Sequence, residues 1–166
     1  NLSKKYVNFS FKLILNSVEK VRVTLSGDVK TPGVYYVNKF DSLMQILAVA
    51  GGINKTGSLR EIKVLGGSKK STQAIDLYDL IINPKNNKLI TFKSGDTIYV
   101  PKIGNTVAIK GSVKSPGIYE IKNSETIADL INYADGFNLN AYKNAVYLNR
   151  MDDFFKRKVL VLFNQD

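Results

Sequence analysis

The alternation of apolar and polar residues divides the chain into short strands and short helices. Val21-Arg-Val-Thr-Leu25 alternates with a period of two, as does Val107-Ala-Ile109, and both predict strands with one buried face. Each is followed by a Pro-Gly pair (Pro32-Gly33, Pro116-Gly117) that meets the demands of the two central positions of a type II turn. Val34-Tyr-Tyr-Val37 and Ile118-Tyr-Glu-Ile121 then return as second strands, giving two hairpin-like pairs. Beyond them Leu43, Ile46, Leu47 and Ala50 recur at i, i+3, i+4 and i+7, and Ile127, Leu130, Ile131 and Ala134 do the same. Each stripe predicts the apolar face of a short helix. Ser42 with Gln45, and Thr126 with Asp129, have the spacing of capping boxes, while Gly51-Gly52 and Gly136 stop the helices. Ile62–Leu65 and Val146–Leu148 supply one more strand after each helix.

The two halves are one pattern repeated. Residues 23–64 align without gaps to 107–148 at an offset of 84, with 10 identities in 42 positions and like-for-like exchanges such as Leu25/Ile109 and Ile62/Val146. That period is too long for a solenoid repeat and suits a small domain. The first copy runs on through Ala74-Ile-Asp-Leu77 and a helical turn at Leu77–Ile82, and closes in Gly95-Asp-Thr-Ile-Tyr-Val-Pro101. The counterpart of that closing strand falls beyond residue 166, so the second copy is expected to be incomplete in this chain. Val7, Phe9, Phe11, Leu13 and Leu15 form a further period-two run, expected to pair with a sheet of the tandem, in the chain or across to a neighbour. The expected division is 1–20 as N-terminal strand or linker, 21–103 as first domain and 104–166 as second, in the α+β class.

Composition narrows the chemistry. Among 166 residues there is no Cys and no His, which excludes disulfides, thiol nucleophiles, imidazole bases and Cys-based zinc or iron–sulfur sites. The longest apolar stretch, Ile46–Ile53, is far short of the ~20 residues that span a bilayer, and no signal-peptide pattern opens the chain. The net charge of +10 invites an acidic partner. Only four of the basic residues are Arg, however, and the lysines are scattered singly or in pairs rather than gathered on one element, so nucleic acid is disfavoured.

Carboxylate pairs are the remaining catalytic candidates. Asp152-Asp153 sit in a Lys-rich turn as solvated charges, and Asp76 with Asp79 flank a helix start, where carboxylates favour the free amides. Asp28 and Asp96 each adjoin a glycine and suit turns better than half of a calcium loop. Gly51-Gly52 and Gly66-Gly67 lack the Lys-Ser/Thr of a phosphate loop. Val159–Phe163, although beside a basic step, reads as a strand rather than a membrane contact. No catalytic residue, metal ligand or cofactor is expected. The ligand-binding candidates are Lys30, Tyr35, Tyr36, Lys114 and Tyr119. Tyrosine faces suit sugar rings, and lysines suit uronic or phosphate groups. The favoured alternative is that Tyr35 and Tyr119 pack against the helices while the lysines are solvated.

The ordered set of Gly27–Tyr35, Ala50-Gly51-Gly52 and Gly95–Pro101, with Gly111–Tyr119 repeating the first element, resembles the soluble-ligand-binding β-grasp (SLBB) domain. The second copy departs from it with Ala134-Asp135-Gly136 and no closing motif. Tandem SLBB domains look most like outer-membrane polysaccharide export proteins of Gram-negative bacteria. The resemblance implies two tandem β-grasp domains and a non-enzymatic periplasmic portion of a capsule or exopolysaccharide export channel. It further implies ring assembly as a homo-oligomer, passage of a polysaccharide that is acidic in some systems, and contact with inner-membrane export machinery. A free-standing carbohydrate-binding or capsule-assembly accessory protein is the alternative, and a nucleic-acid uptake module a more distant one.

Overall fold

The structure is a computed structural model that describes residues 18–67, 72–82, 90–142, 146–151 and 158–163, with side chains described no further than Asn149. Val7–Leu15 and Asp152-Asp153 lie outside the described residues.

In the first unit, strand β1 (Lys20–Gly27) pairs antiparallel with β2 (Gly33–Asn38), and helix α1 (Leu43–Val49) follows. Next come β3 (Ile62–Leu65), β4 (Thr72–Ile75), the short helix α2 (Leu77–Ile82) and β5 (Thr97–Val100). The sheet order is β2-β1-β5-β3-β4, with β5 parallel to β1 and antiparallel to β3. The closing Gly-Asp-Thr-Ile-Tyr-Val segment is therefore the central strand, which explains why Ile98 and Val100 are fully buried. Strand alternation sends Val21, Val23, Leu25 and Val37 to one face, where they meet Leu43, Ile46, Leu47 and Ala50 of the helical stripe in one core. The opposite face of the sheet carries Arg22, Thr24, Val34, Tyr36, Lys63 and Tyr99, and no helix lies on it among the described residues.

The second unit repeats this arrangement with β6 (Thr106–Ile109), β7 (Gly117–Glu120), α3 (Ile127–Tyr133) and β8 (Val146–Met151), to which β9 (Lys158–Phe163) is added. Repetition extends to single hydrogen bonds. Both helices open with full capping boxes, at Ser42/Gln45 and Thr126/Asp129. The bridge between Val29 and Ile53 recurs between Val113 and Phe137. Asn54 donates to the Val29 carbonyl and Asn138 to that of Val113. At the helix stop Gly51 and Gly52 are left-handed (φ 78° and 93°), and the second unit matches them with Asp135 (φ 60°) and Gly136 (φ 83°). Asp is among the few non-glycine residues that tolerate this region.

Two expectations need correction or refinement. Gly33 and Gly117 do not have the positive φ that a type II turn requires at its third residue; they open β2 and β7 in extended conformation. The left-handed residue is instead Gly27 or Gly111, six places earlier, where the chain leaves the first strand (φ 83° and 94°). The Pro-Gly pair acts further along, where the Tyr35 hydroxyl donates to the Thr31 carbonyl and the Tyr119 hydroxyl to the Ser115 carbonyl, each at 2.6 Å. The second unit also has no single sheet among the described residues: β6–β7 and β8–β9 are separate pairs, with no strand in the place that β5 takes. In consequence no residue of α3 is buried, whereas α1 buries Leu43, Ile46 and Leu47.

The two glycines at corresponding corners should respond differently to the same substitution. A Cβ on Gly27 would lie 2.0 Å from the Val100 carbonyl oxygen, while one on Gly111 meets nothing within 4 Å. Gly111→Ala then carries only the left-handed strain of about 1–2 kcal/mol, and Gly27→Ala adds a clash with the central strand. Urea denaturation should show Gly27→Ala far more destabilised than Gly111→Ala; equal losses would mean that β5 does not pass Gly27 this closely.

Candidate functional site at the junction of the two units

The densest polar cluster in the described structure lies between the units. It forms around Arg60, which precedes β3 and whose side chain is only 4% exposed. The guanidinium is bidentate to two carboxylates at once. Toward its own unit, Nε and Nη2 donate to Asp76 at 3.0–3.3 Å. Toward the second unit, Nη1 and Nη2 each lie 2.6 Å from a Glu125 oxygen. Nη1 also donates to the Glu120 carbonyl at 3.2 Å, and Nη2 to the Tyr133 hydroxyl at 3.3 Å. The plane of the cation faces the rings of Tyr78 and Tyr133, 4.6 and 5.1 Å from the centroids. A planar fork with five donors suits this double engagement; a lysine does not.

Local structure puts each partner in place. Asp76 caps the start of α2 by accepting from the Tyr78 amide at 2.9 Å, and its other oxygen also takes Lys122 Nζ at 2.6 Å. Glu125 sits in the loop before α3, where it accepts from the Lys122 amide at 2.9 Å and from the Tyr133 hydroxyl at 2.5 Å. A second buried carboxylate, Glu120 at the end of β7, accepts from Ser58 Oγ, the Leu59 amide and the Gly104 amide at 2.8–3.0 Å. Its own amide donates to the Tyr78 hydroxyl. No buried side-chain nitrogen or oxygen among the described residues is left without a partner. The linker is tied in as well, through Ser58 N to the Pro101 carbonyl and Ile103 N to the Thr56 carbonyl, both 2.8 Å.

These contacts set the ionisation. Burial alone would raise the carboxyl of Glu125, but the hydrogen bonds from Arg60, Tyr133 and the Lys122 amide outweigh it and hold the group at about 2. Asp76 is likewise lowered, burial being overcome by Arg60 and Lys122. The Tyr133 phenol is pushed up to about 12, by burial and by its bond to Glu125. Such fixed, saturated charges make a structural joint; none is poised to exchange a proton near neutrality.

The sequence-derived candidates do not converge on one site. Tyr35 and Tyr36 point to opposite faces of β2. Tyr35 packs on the core with its hydroxyl committed to Thr31, and Tyr36 is 70% exposed. Tyr119 stands edge-on to Tyr78 at the joint, with its hydroxyl committed to Ser115. Lys30 is exposed beside Gly51, and Lys114 lies 3.6 Å from Asp135. Asp28 accepts from Asn54, and Asp96 from the Gly67 and Lys93 amides, as turn residues do. Sequence reasoning missed Arg60, Glu120, Glu125 and Tyr133, and gave Asp76 only its capping role. For three of them the signal lay in breaks of the repeat, since the counterparts of Arg60, Glu120 and Tyr133 84 residues away are Asn144, Tyr36 and Val49; Glu125 gave no such signal, its counterpart being Asp41.

Comparison with known proteins agrees with the repeat. One SLBB domain family matches residues 21–100 and another matches 106–159, covering most of the chain between them. The chain belongs to the SLBB domain family. Two curated relatives, each described as polysialic acid transport protein KpsD of Escherichia coli, are 33% identical over 111 residues, or 66% of this chain. This SLBB tandem spans about a fifth (20%) of the length of those relatives. No helix among the described residues is long and apolar enough to cross a membrane.

The joint should tolerate mild acid. Both carboxyls are lower in the folded chain than in the unfolded one, where they titrate near 4. Their contribution is therefore complete above about pH 5 and is lost as pH falls toward about 2. Urea titrations across pH should show a plateau from neutrality to about pH 5 and a decline below it; a decline beginning near pH 6 would contradict this assignment. Arg60→Met leaves Glu125 without a cation and Asp76 with Lys122 alone, and the same urea titration at neutral pH should show a loss of about 3–5 kcal/mol.

Proposed function

We propose that the chain is the non-enzymatic, periplasmic SLBB portion of a polysaccharide export channel of a Gram-negative outer membrane, acting in ring assembly and in passage of an acidic polymer. The observation that carries this reading is the 33% identity to a polysialic acid transport protein over 111 residues of the chain. The rigid, fully paired joint supports a scaffolding part, and the absence of Cys and His from the sequence leaves no ordinary nucleophile–base pair for bond chemistry.

The uncovered face of the first sheet supports contact with the polymer. Its cross-strand neighbours include Lys63 on β3 beside Tyr99 on β5, and Arg22 and Lys20 both lie on β1, two strands along from β3. None of the outward strand residues of this face is acidic. A ring beside a cation suits a sugar bearing a carboxylate, because the apolar sugar face stacks while the charge is paired. Lys30 and Lys114 would add charge at the rims of the two units. Inner-membrane export machinery remains part of the same proposal as a partner of the assembled channel.

An NMR titration of the chain with oligosialic acid should shift the amides of Ile62–Leu65 and Thr97–Val100, and the affinity should fall as salt is raised. Arg22→Glu with Lys63→Glu should weaken binding at least about tenfold, equivalent to about 1.4 kcal/mol. A neutral dextran oligomer should shift these amides little. Absence of shifts at this face, or binding indifferent to the charge reversals, would refute polymer contact here.

A further inference from the structure

The outward face of the first sheet carries the same kind of residue pair twice. Arg22 on β1 stands directly opposite Tyr36 on β2, and Lys63 on β3 stands directly opposite Tyr99 on β5. Partners in register share a face, with Cβ atoms about 4.5–5.5 Å apart, so each cation lies beside its ring. All four side chains are exposed, Tyr36 to 70% and Tyr99 to 39%. Followed across the sheet from β2 to β4, the ring comes first and the cation second in both pairs.

The strand register sets the separation of the pairs. The partner of Tyr99 on β1 is Ser26, four residues beyond Arg22. The second pair is therefore displaced from the first by two strands and four residues, ring from ring and cation from cation alike. With about 4.8 Å between strands and about 3.3 Å per residue, that displacement is about 16 Å. Between the pairs Thr24 and Thr97 are cross-strand partners, and they and Ser26 are half-buried, a floor of short hydroxyl side chains. The second unit does not repeat the arrangement, since the counterparts of Arg22, Tyr36 and Lys63 are Thr106, Glu120 and Tyr147. Two copies of one contact related by a translation suit a ligand that itself repeats by translation.

We propose that this face is a two-point site for a linear acidic glycan, with one acidic sugar on Arg22 and Tyr36, another on Lys63 and Tyr99, and the residues between them over Thr24 and Thr97. The inference rests on the polymer contact proposed above and adds to it a minimum length. In an extended glycan each residue advances the chain by roughly one strand spacing, so about four residues reach from one pair to the other. Each pair alone stacks one sugar face and pairs one carboxylate. Once the first pair is occupied, binding at the second is intramolecular, and affinity climbs with no new kind of contact.

NMR titrations with oligosialic acids of two to six residues should show affinity rising at least about tenfold between the dimer and the chain of about four residues, and little beyond it. Arg22→Gln with Tyr36→Thr should bind every length as weakly as the wild type binds the dimer, and so should Lys63→Gln with Tyr99→Thr. These are exposed strand positions and threonine keeps the strand preference, so both variants should retain the amide spectrum of the folded chain. Arg22→Gln alone, with both rings in place, should lose most of the same dependence on length. Affinity independent of length while the amides of this face still shift overturns the two-point site and leaves polymer contact standing. So does a length dependence that survives in both double variants. No shift at this face with any oligomer overturns both.

Discussion

One buried cation organises the relation between the two units. Arg60 has lost nearly all its water, and a guanidinium in that position is tolerable only if every donor finds an acceptor. Two carboxylates, a backbone carbonyl and a phenol meet that need, and they come from both units. The desolvation of such a cluster offsets much of its Coulombic attraction, so its main consequence is geometric. A small rotation of one unit against the other would strand at least one charge, which fixes the angle between them more tightly than an apolar contact of the same size.

The same demand explains why the repeat is exact in some places and broken in others. Residues that close each unit on itself recur: the capping boxes, the tyrosine hydroxyl on the loop carbonyl, and the asparagine that braces the helix stop. Residues that face the neighbouring unit do not recur, because the two units have different neighbours. Glu120 fits the first unit's Ser58 and Leu59, and its counterpart Tyr36 faces no such loop among the described residues.

This division governs what the sequence could disclose. Strand alternation, the two helical stripes and their caps are local and were legible, as was the tandem of β-grasp units. The central position of β5 was not legible from its own residues, because a short apolar run does not state which strands flank it. The turn at Pro32 was misread because the left-handed residue is Gly27, which close passage of Val100 requires and which no local rule for Pro-Gly pairs reveals. Asp76 was assigned to a helix start, correctly, but its second oxygen serves an arginine 16 residues away. Contacts of that kind become visible only when the elements are assembled, although comparing the two copies for unmatched charges would have drawn attention to Arg60 and Glu120, whose counterparts are Asn144 and Tyr36.

Arg60 thus fixes the angle between the two units. The chain has no cysteine, so spin labels can be placed at will, for example at the exposed positions Gln73 in the first unit and Asn132 in the second. Pulsed electron spin resonance on the doubly labelled chain should give a single narrow distance distribution, and the same chain carrying Arg60→Met a broad one. A wild-type distribution as broad as that of the Arg60→Met chain would mean that the arginine does not set the angle between the units.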